Sequence, residues 1–230
     1  MTHHRDVTAY TEANPSPPSK NMPSNPVHTT TGLLHDKLVF GRRTQILSDW
    51  FARLVPPNSR VLDVGCGDGL ISSLLQARRP DLSIQGIDVL VRPATRIPVV
   101  SFDGTHIPFP DNSFDVVLFS DVLHHTEDPT VLLREARRVA NYIVIKDHNR
   151  NGIGAQQRLR FMDWIGNARF GVALPYNYWT SERWDRAWQE VGLRTEQIIV
   201  DVGLYPPPLS WIFGAKLHFV ARLNRCVPSS

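Results

Sequence analysis

Val61-Leu62-Asp63-Val64-Gly65-Cys66-Gly67-Asp68-Gly69 (VLDVGCGDG, residues 61–69) is the stretch that decides the fold. Its start, from Arg60 to Val64, is a short apolar run and reads as a buried strand. Three glycines within five residues then make a tight turn. Leu70 to Arg78 follows as a short helix that stops before Pro80. Strand, glycine turn and helix form a unit that cradles ligands at the carboxyl edge of an open α/β sheet. Glycine allows φ > 0 and a close approach of backbone to ligand. The spacing is not G-x-G-x-x-G, because the third glycine comes one residue early.

The charges in and beside the turn narrow the ligand. Asp63 precedes the first glycine by two residues, and Asp68 lies inside the turn. A pyrophosphate there meets two carboxylates, each costing about 4 kcal/mol at roughly 4 Å and an effective dielectric near 20. A ligand carrying an ammonium and a sulfonium finds the same site favourable, which selects S-adenosylmethionine over a nicotinamide dinucleotide. Asp88, ending the strand Leu82 to Asp88, is placed to accept two ribose hydroxyls. Asp103, in Phe102-Asp103-Gly104-Thr105, is placed to accept from an adenine amine, and Gly104 leaves room for the ring.

Working outward, strand and helix patterns alternate. Strands are expected over 99–103, 114–120 (FDVVLFS, apolar on both faces), 142–146 (YIVIK), 193–202 and 217–223. Helices are expected from Leu33 to Leu54, over 129–139 with Pro129 in the first turn, and over 180–191 with a Thr180 or Ser181 cap. This alternation predicts a mostly parallel, doubly wound sheet. Residues 1–31, rich in Pro, Ser, Asn and Thr, read as a disordered or loosely docked tail, and 32–230 as one domain. Residues 149–179 break the rhythm with an aromatic cluster and read as a lid or acceptor-binding insertion. Trp164, Tyr176, Tyr178 and Trp179 suggest an apolar or aromatic acceptor. LYPPPLSWIFG (204–214) offers a further wall or a peripheral contact with a membrane surface.

Composition excludes other classes. The chain has 230 residues, 42% of them apolar and 20% charged, which rules out wholesale disorder and coiled coil. Two cysteines make neither a disulfide scaffold nor a zinc cluster. The net charge of +3 comes without any block of like charges, so nucleic acid is not the expected partner. The amino end lacks an apolar leader core, and the apolar stretch 198–215 contains Asp201 and three consecutive prolines. A cytoplasmic protein without an integral membrane span is expected. Oligomeric state is left open.

VLDVGCGDG (61–69), GID (86–88), SFDGTHIPFPDNSFDVVLFSDVLHHTEDP (101–129), LLREARRV (132–139) and YIVIKD (142–147) together resemble class I S-adenosylmethionine-dependent methyltransferases. The similarity covers residues 45–147 and is greatest to the broad methyltransferase type 11 group of small-molecule enzymes. It implies a Rossmann-like, seven-stranded sheet with an antiparallel last strand and helices on both faces. It also implies roles: Asp63, Gly65 and Gly67 at the methionyl part, Asp88 at the ribose, Asp103 and Gly104 beside the adenine, and Ser120 near the methionyl amine. Enzymes that methylate amino groups of nucleic acids commonly carry an Asn/Asp-Pro-Pro-aromatic motif after the fourth strand. Ser120-Asp121-Val122-Leu123 stands there instead, so a small-molecule acceptor is expected.

Acceptor-side candidates are His124, His125, Asp147 and His148, expected just after the fourth and fifth strands. His125 is the expected general base, oriented by Asp147, with His148 as a further catalytic candidate. The plainer reading makes these histidines packing or capping groups. Asp121 reads as a strand-end acceptor and Cys66 as a packing residue. No metal is expected: Asp147, His148 and His125 offer ligand atoms, but the cofactor needs none. The alternative to an enzyme is a methyltransferase-like accessory or binding protein without turnover, and a nicotinamide-dependent reductase is a third reading.

Overall fold

The computed structural model describes residues 41–167, 176–214 and 216–226. The tail 1–31, the start of the helix expected from Leu33, and residues 168–175 of the insertion lie outside them. The elements run α1 (Gly41–Leu54), β1 (Arg60–Val64), α2 (Leu70–Arg78), β2 (Ser83–Asp88), β3 (Val99–Ser101), β4 (Val116–Ser120) and a 3-10 turn (Leu123–His125). There follow α3 (Pro129–Val139), β5 (Tyr142–His148), α4 (Ala155–Asn167), α5 (Ser181–Glu190), β6 (Leu193–Ile199), a π-helical turn (Ser210–Gly214) and β7 (His218–Arg225).

The seven strands form one sheet in the order β3-β2-β1-β4-β5-β7-β6. β1 pairs in parallel with β2 and β4, and β4 with β5. β7 inserts antiparallel between β5 and β6. This is the expected doubly wound sheet with its antiparallel last strand. Strand order reverses between β1 and β4, so the switch-point crevice opens where β1 runs into Gly65 and β4 ends at Ser120.

The strands are apolar on both faces because both faces are covered. Leu62, Val64, Val117, Phe119, Ile143 and Ile145 pack with Leu132, Leu133, Trp184 and Trp188 of α3 and α5. Val61, Val116, Leu118 and Val144 pack with Leu47, Phe51, Leu54 and Leu75 of α1 and α2. In α1 the buried positions Thr44, Leu47, Ser48, Phe51 and Leu54 recur every three or four residues, as a core-facing stripe requires. Asp128 caps α3 by accepting from Thr130 N–H at 2.9 Å, with Pro129 in the first turn. Thr180 caps α5, accepting from Arg183 N–H at 3.4 Å.

Two expectations need correction. Asp147 and His148 do not follow the fifth strand; they are its last two residues. The ladder continues because β7 supplies partners, Phe219 opposite Asp147 and His218 opposite His148. The insertion, read as a lid or acceptor-binding element, carries the helix α4, and what changes is the part given to its aromatic residues. Its buried positions include Ala155, Leu159 and Asp163, whereas Phe161 and Trp164 are exposed. Its aromatic residues therefore do not mark its buried stripe. Trp179 is no pocket wall either: it lies in the core, 4.8 Å from the Trp184 ring. Among the described residues, no helix is long and apolar enough to cross a membrane.

Candidate active site

The turn after β1 is built by its glycines. Gly65 N–H donates to the Ile87 carbonyl at 2.8 Å, tying the turn to β2. Gly65 has φ +72°, and a Cβ there would stand 2.6 Å from Val122 Cγ2. Gly67 has φ +61°, but a Cβ there meets nothing within 4 Å among the described residues. The turn is thus packed against the β4 loop at Gly65 and open at Gly67. Asp88 organises it from β2. Its Oδ2 accepts from Gly67 N–H at 2.8 Å and its Oδ1 from Leu90 N–H at 2.9 Å.

Asp63 is the unusual group. It is 3% exposed, and Ser72 Oγ donates to its Oδ2 at 2.6 Å. Its Oδ1 is buried and finds no hydrogen-bond partner among the described residues. Burial pushes the carboxyl up to about 7, against the Ser72 hydrogen bond. The part given to Asp68 changes. Its Oδ1 accepts from Leu70 N–H at 3.1 Å and its Oδ2 pairs with Arg96 at 3.1 Å, so its charge is largely compensated. The acidic character of the turn rests on Asp63 and Asp88. Asp103 is exposed, and its Oδ1 accepts from Thr105 N–H, Thr105 Oγ and His106 N–H at 2.7–2.9 Å. These bonds lower its carboxyl below the usual range and fix the loop carrying Gly104, which has φ +85°. Ser120 Oγ, at the end of β4, is buried without a hydrogen-bond partner among the described residues.

Beside this crevice the ends of β4 and β5 hold a buried polar cluster. Asp147 Oδ1 lies 2.7 Å from His124 Nδ1, and Asp147 Oδ2 accepts from Leu123 N–H at 3.1 Å. Asp147 therefore orients His124, not His125 as expected. His124 Nε2 lies 3.4 Å from Asp163 Oδ2 on α4, and Tyr178 donates its hydroxyl to the same oxygen. Burial opposes a charge on His124, but Asp147 and Asp163 overcome it and raise the ring to about 10. His125 goes the other way: burial and the neighbouring His124 charge lower it to about 4. His148 is also lowered, by burial and by Lys146. Asp121 pairs with both Lys146 and Arg43. Burial would raise its carboxyl, but those two cations outweigh it and hold it well below the carboxylate range.

The expected residues thus fall into two adjoining groups. Asp63, Gly65, Gly67 and Ser120 meet at the switch point; Asp88 holds the turn from below, and Asp103 with Gly104 forms a neighbouring loop. His125, Asp147 and His148 belong to the second group. The sequence reading passed over Arg43, Lys146 and Asp163, gave Tyr178 a place only among the acceptor-wall aromatics, and gave Asp121 too small a part. A charged Lys146 within the apolar strand YIVIK was the available signal, because an interior lysine requires a partner.

A family model described as a methyltransferase domain matches residues 39–198, well over half of the chain. The chain belongs to this methyltransferase-domain family, and it has the fold of solved S-adenosylmethionine-dependent methyltransferases. It is 31% identical over 111 residues to 27-O-demethylrifamycin SV methyltransferase of Amycolatopsis mediterranei, covering 42% of this chain and 40% of that one. It is 32% identical over 98 residues to tRNA (carboxymethyluridine(34)-5-O)-methyltransferase of Schizosaccharomyces pombe, covering 41% of each. The chain thus matches less than half the length of these curated relatives, whose named acceptors differ. A solved S-adenosylmethionine-dependent methyltransferase from Aquifex aeolicus superposes with a TM-score of 0.56 at 19% identity, covering 83% of this chain and 96% of that one.

Proposed function

We propose that the protein binds S-adenosylmethionine in the switch-point crevice and transfers its methyl group to a small, apolar or aromatic acceptor beside the His124–His125 turn. The observation that carries this reading is Asp63. Its buried Oδ1, without a hydrogen-bond partner among the described residues, stands at the mouth of a glycine turn that is open at Gly67. A buried carboxylate oxygen in that position suits a cationic amine and repels a phosphate. Ser120 Oγ is a second buried polar atom without a hydrogen-bond partner among the described residues, placed to serve the same ligand.

In this reading Asp63, Gly65, Gly67 and Ser120 hold the methionyl end. Asp88 keeps the turn open while turning its remaining lone pairs to the ribose, and Asp103 with Gly104 borders the base. The cofactor, when bound, supplies an electrophilic methyl group on a sulfonium. The chain then has to place the acceptor in line and exclude water, which is worth about 7–11 kcal/mol of barrier when done well. An oxygen or nitrogen acceptor must also lose a proton. His125 is assigned to that side: its half-buried ring is unprotonated at neutral pH and offers a lone pair. Asp147 and His148 act beneath it as positioning residues, through His124. Tyr178 faces the His124 ring at 5.6 Å and Tyr176 lies beside Tyr178, ring centres 6.3 Å apart, which supports an aromatic wall for the acceptor. Trp164 is exposed on α4 and does not contribute to it.

A thermal shift with S-adenosylhomocysteine, with NADH alongside, tests the site. At about 100 times Kd a ligand adds about 2.7 kcal/mol, or roughly 5–10 °C in a chain of this size. A shift with S-adenosylhomocysteine alone is expected. A shift with NADH, or with neither ligand, overturns the assignment. For the acceptor side, His125→Ala is expected to lower turnover by about 10² or more with the S-adenosylhomocysteine shift intact; a loss under about threefold removes His125 from the reaction.

A further inference from the structure

Hydrogen bonding in the second cluster leaves particular atoms unused. His124 is 1% exposed and commits Nδ1 to Asp147. Its Nε2 approaches Asp163 Oδ2 at 3.4 Å but has no hydrogen-bond partner among the described residues. His125 Nδ1, one residue on, is likewise buried with no partner among them. One ring nitrogen from each histidine and one carboxylate oxygen of Asp163 lie within 4.8 Å of one another. Tetrahedral ligand atoms about 2.0–2.2 Å from a common centre stand roughly 3.3–3.6 Å apart, so the three must draw together by up to about 1.5 Å to enclose an ion.

We propose that His124, His125 and Asp163 bind one divalent transition-metal ion. Two imidazoles and one carboxylate suit zinc, iron or manganese and disfavour magnesium or calcium, which take oxygen ligands. The surroundings are those of a metal site. Asp147 fixes the far nitrogen of His124, and Tyr178 donates its hydroxyl to Asp163, the outer partners that ligating histidines and carboxylates usually have. To ligate, His124 gives up its Nε2 proton to solvent, and the ion then supplies the positive charge between Asp147 and Asp163. A second set, Asp121, His124 and His148, is as compact. There, however, Asp121 already faces Lys146 and Arg43, and His124 Nδ1 is engaged by Asp147. A dication at that place meets two cations.

Three protein ligands leave a coordination position open. The role of that position rests on the methyl-transfer reading: an acceptor hydroxyl bound there releases its proton to solvent more readily. The ion replaces His125 in that task, because the ring's one lone pair is then given to the ion. The binding itself does not rest on that reading.

The test is a titration of the full, chelator-stripped chain with Zn2+ against a chromophoric chelator. One equivalent is expected to bind with Kd at or below about 1 µM. His125→Ala and Asp163→Asn are each expected to weaken it by roughly 100-fold or more, and Tyr178→Phe by about tenfold. His106→Ala changes an exposed ring paired with Glu135 and is expected to leave affinity unchanged. The S-adenosylhomocysteine shift, run on the same variants, reports folding. Lost zinc with a retained shift supports the site. When wild type shows no shift, only the cofactor reading falls; the unliganded Tm of each variant, within a few degrees of wild type, then reports folding and lets the variant pattern support the site. Wild-type binding weaker than about 100 µM, or equal affinity in His125→Ala, overturns it.

Discussion

Asp63→Asn should stabilise the ligand-free protein at alkaline pH and abolish its response to S-adenosylhomocysteine. The Asp63 carboxyl is buried, with one oxygen unpartnered among the described residues, and titrates near 7 in the folded chain against 3.8 ordinarily. The folded state therefore holds a proton that the unfolded chain has released. The stability from this group is fully present below the unfolded pKa and is lost as pH rises through about 7. Integrated between pH 5 and pH 8, the loss comes to about 3 kcal/mol. At about 2–4 °C per kcal/mol, wild type should fall roughly 6–12 °C further than Asp63→Asn over that range. The assay is Tm by calorimetry for both proteins at both pH values. The difference of differences cancels every other titrating group, and Asn keeps the size of the side chain and an acceptor for Ser72. A second arm adds S-adenosylhomocysteine, which should raise Tm in wild type and not in the variant. Parallel Tm curves, agreeing within about 2 °C, would refute the claim that the fold tolerates an uncompensated carboxylate for its ligand.

Gly65→Ala should cost about 1–3 kcal/mol, because it combines φ +72° with a Cβ placed 2.6 Å from Val122 Cγ2. Urea unfolding should show Val122→Ala relieving the clash but not the backbone strain; full recovery would mean the dihedral costs nothing. Asp88→Ala removes the acceptor for Gly67 and Leu90 N–H. Affinity for S-adenosylhomocysteine by calorimetry should fall at least about tenfold, with Tm lower by only a few degrees, and unchanged affinity would refute its place in the site. Asp121→Asn leaves Lys146 and Arg43 buried without their counter-charge and should cost about 3–5 kcal/mol in denaturant unfolding. Adding Lys146→Met should recover part of it, and additive losses would mean the pair is uncoupled.

What was legible in the sequence was what short segments decide alone. VLDVGCGDG sets strand, turn and helix within its own length, and apolar runs such as FDVVLFS announce a sheet covered on both sides. The candidate site was legible only where it follows from such segments, as at Asp63, Gly65 and Gly67. The second cluster depends on contacts between distant residues. Arg43 reaches Asp121 across 78 positions, and Asp147 reaches His124 across 23. Nothing local tells which of two consecutive histidines turns inward. The 3-10 turn over Leu123–His125 makes that choice, directing His124 to β5 and α4. The length of β5 was equally hidden, because β7, some seventy residues on, supplies the partners that carry its ladder to His148.

The same turn separates two identical side chains chemically. His124, between Asp147 and Asp163, is held to about 10, while His125, pushed by burial and by that neighbouring charge, falls to about 4. At neutral pH, in the metal-free chain, one ring is a cation and the next an unprotonated donor of a lone pair. Titratable groups driven apart by their surroundings are the usual mark of assigned roles in a site. This division favours His124 as the structural centre of the cluster and His125 as the group that meets what comes from outside. Reversing it should require moving a charge rather than a ring. Asp147→Asn keeps the shape of the carboxyl and lowers the His124 ring toward its ordinary value. Near pH 4, however, where His125 titrates, His124 still carries its proton, and the Asp147 charge that favoured a charged His125 is gone, so His125 stays low. NMR titration of the two rings should show His124 falling and His125 not rising; a rise in His125 would mean that His124 has lost its charge by about pH 4 and that the adjacent charge alone held His125 down.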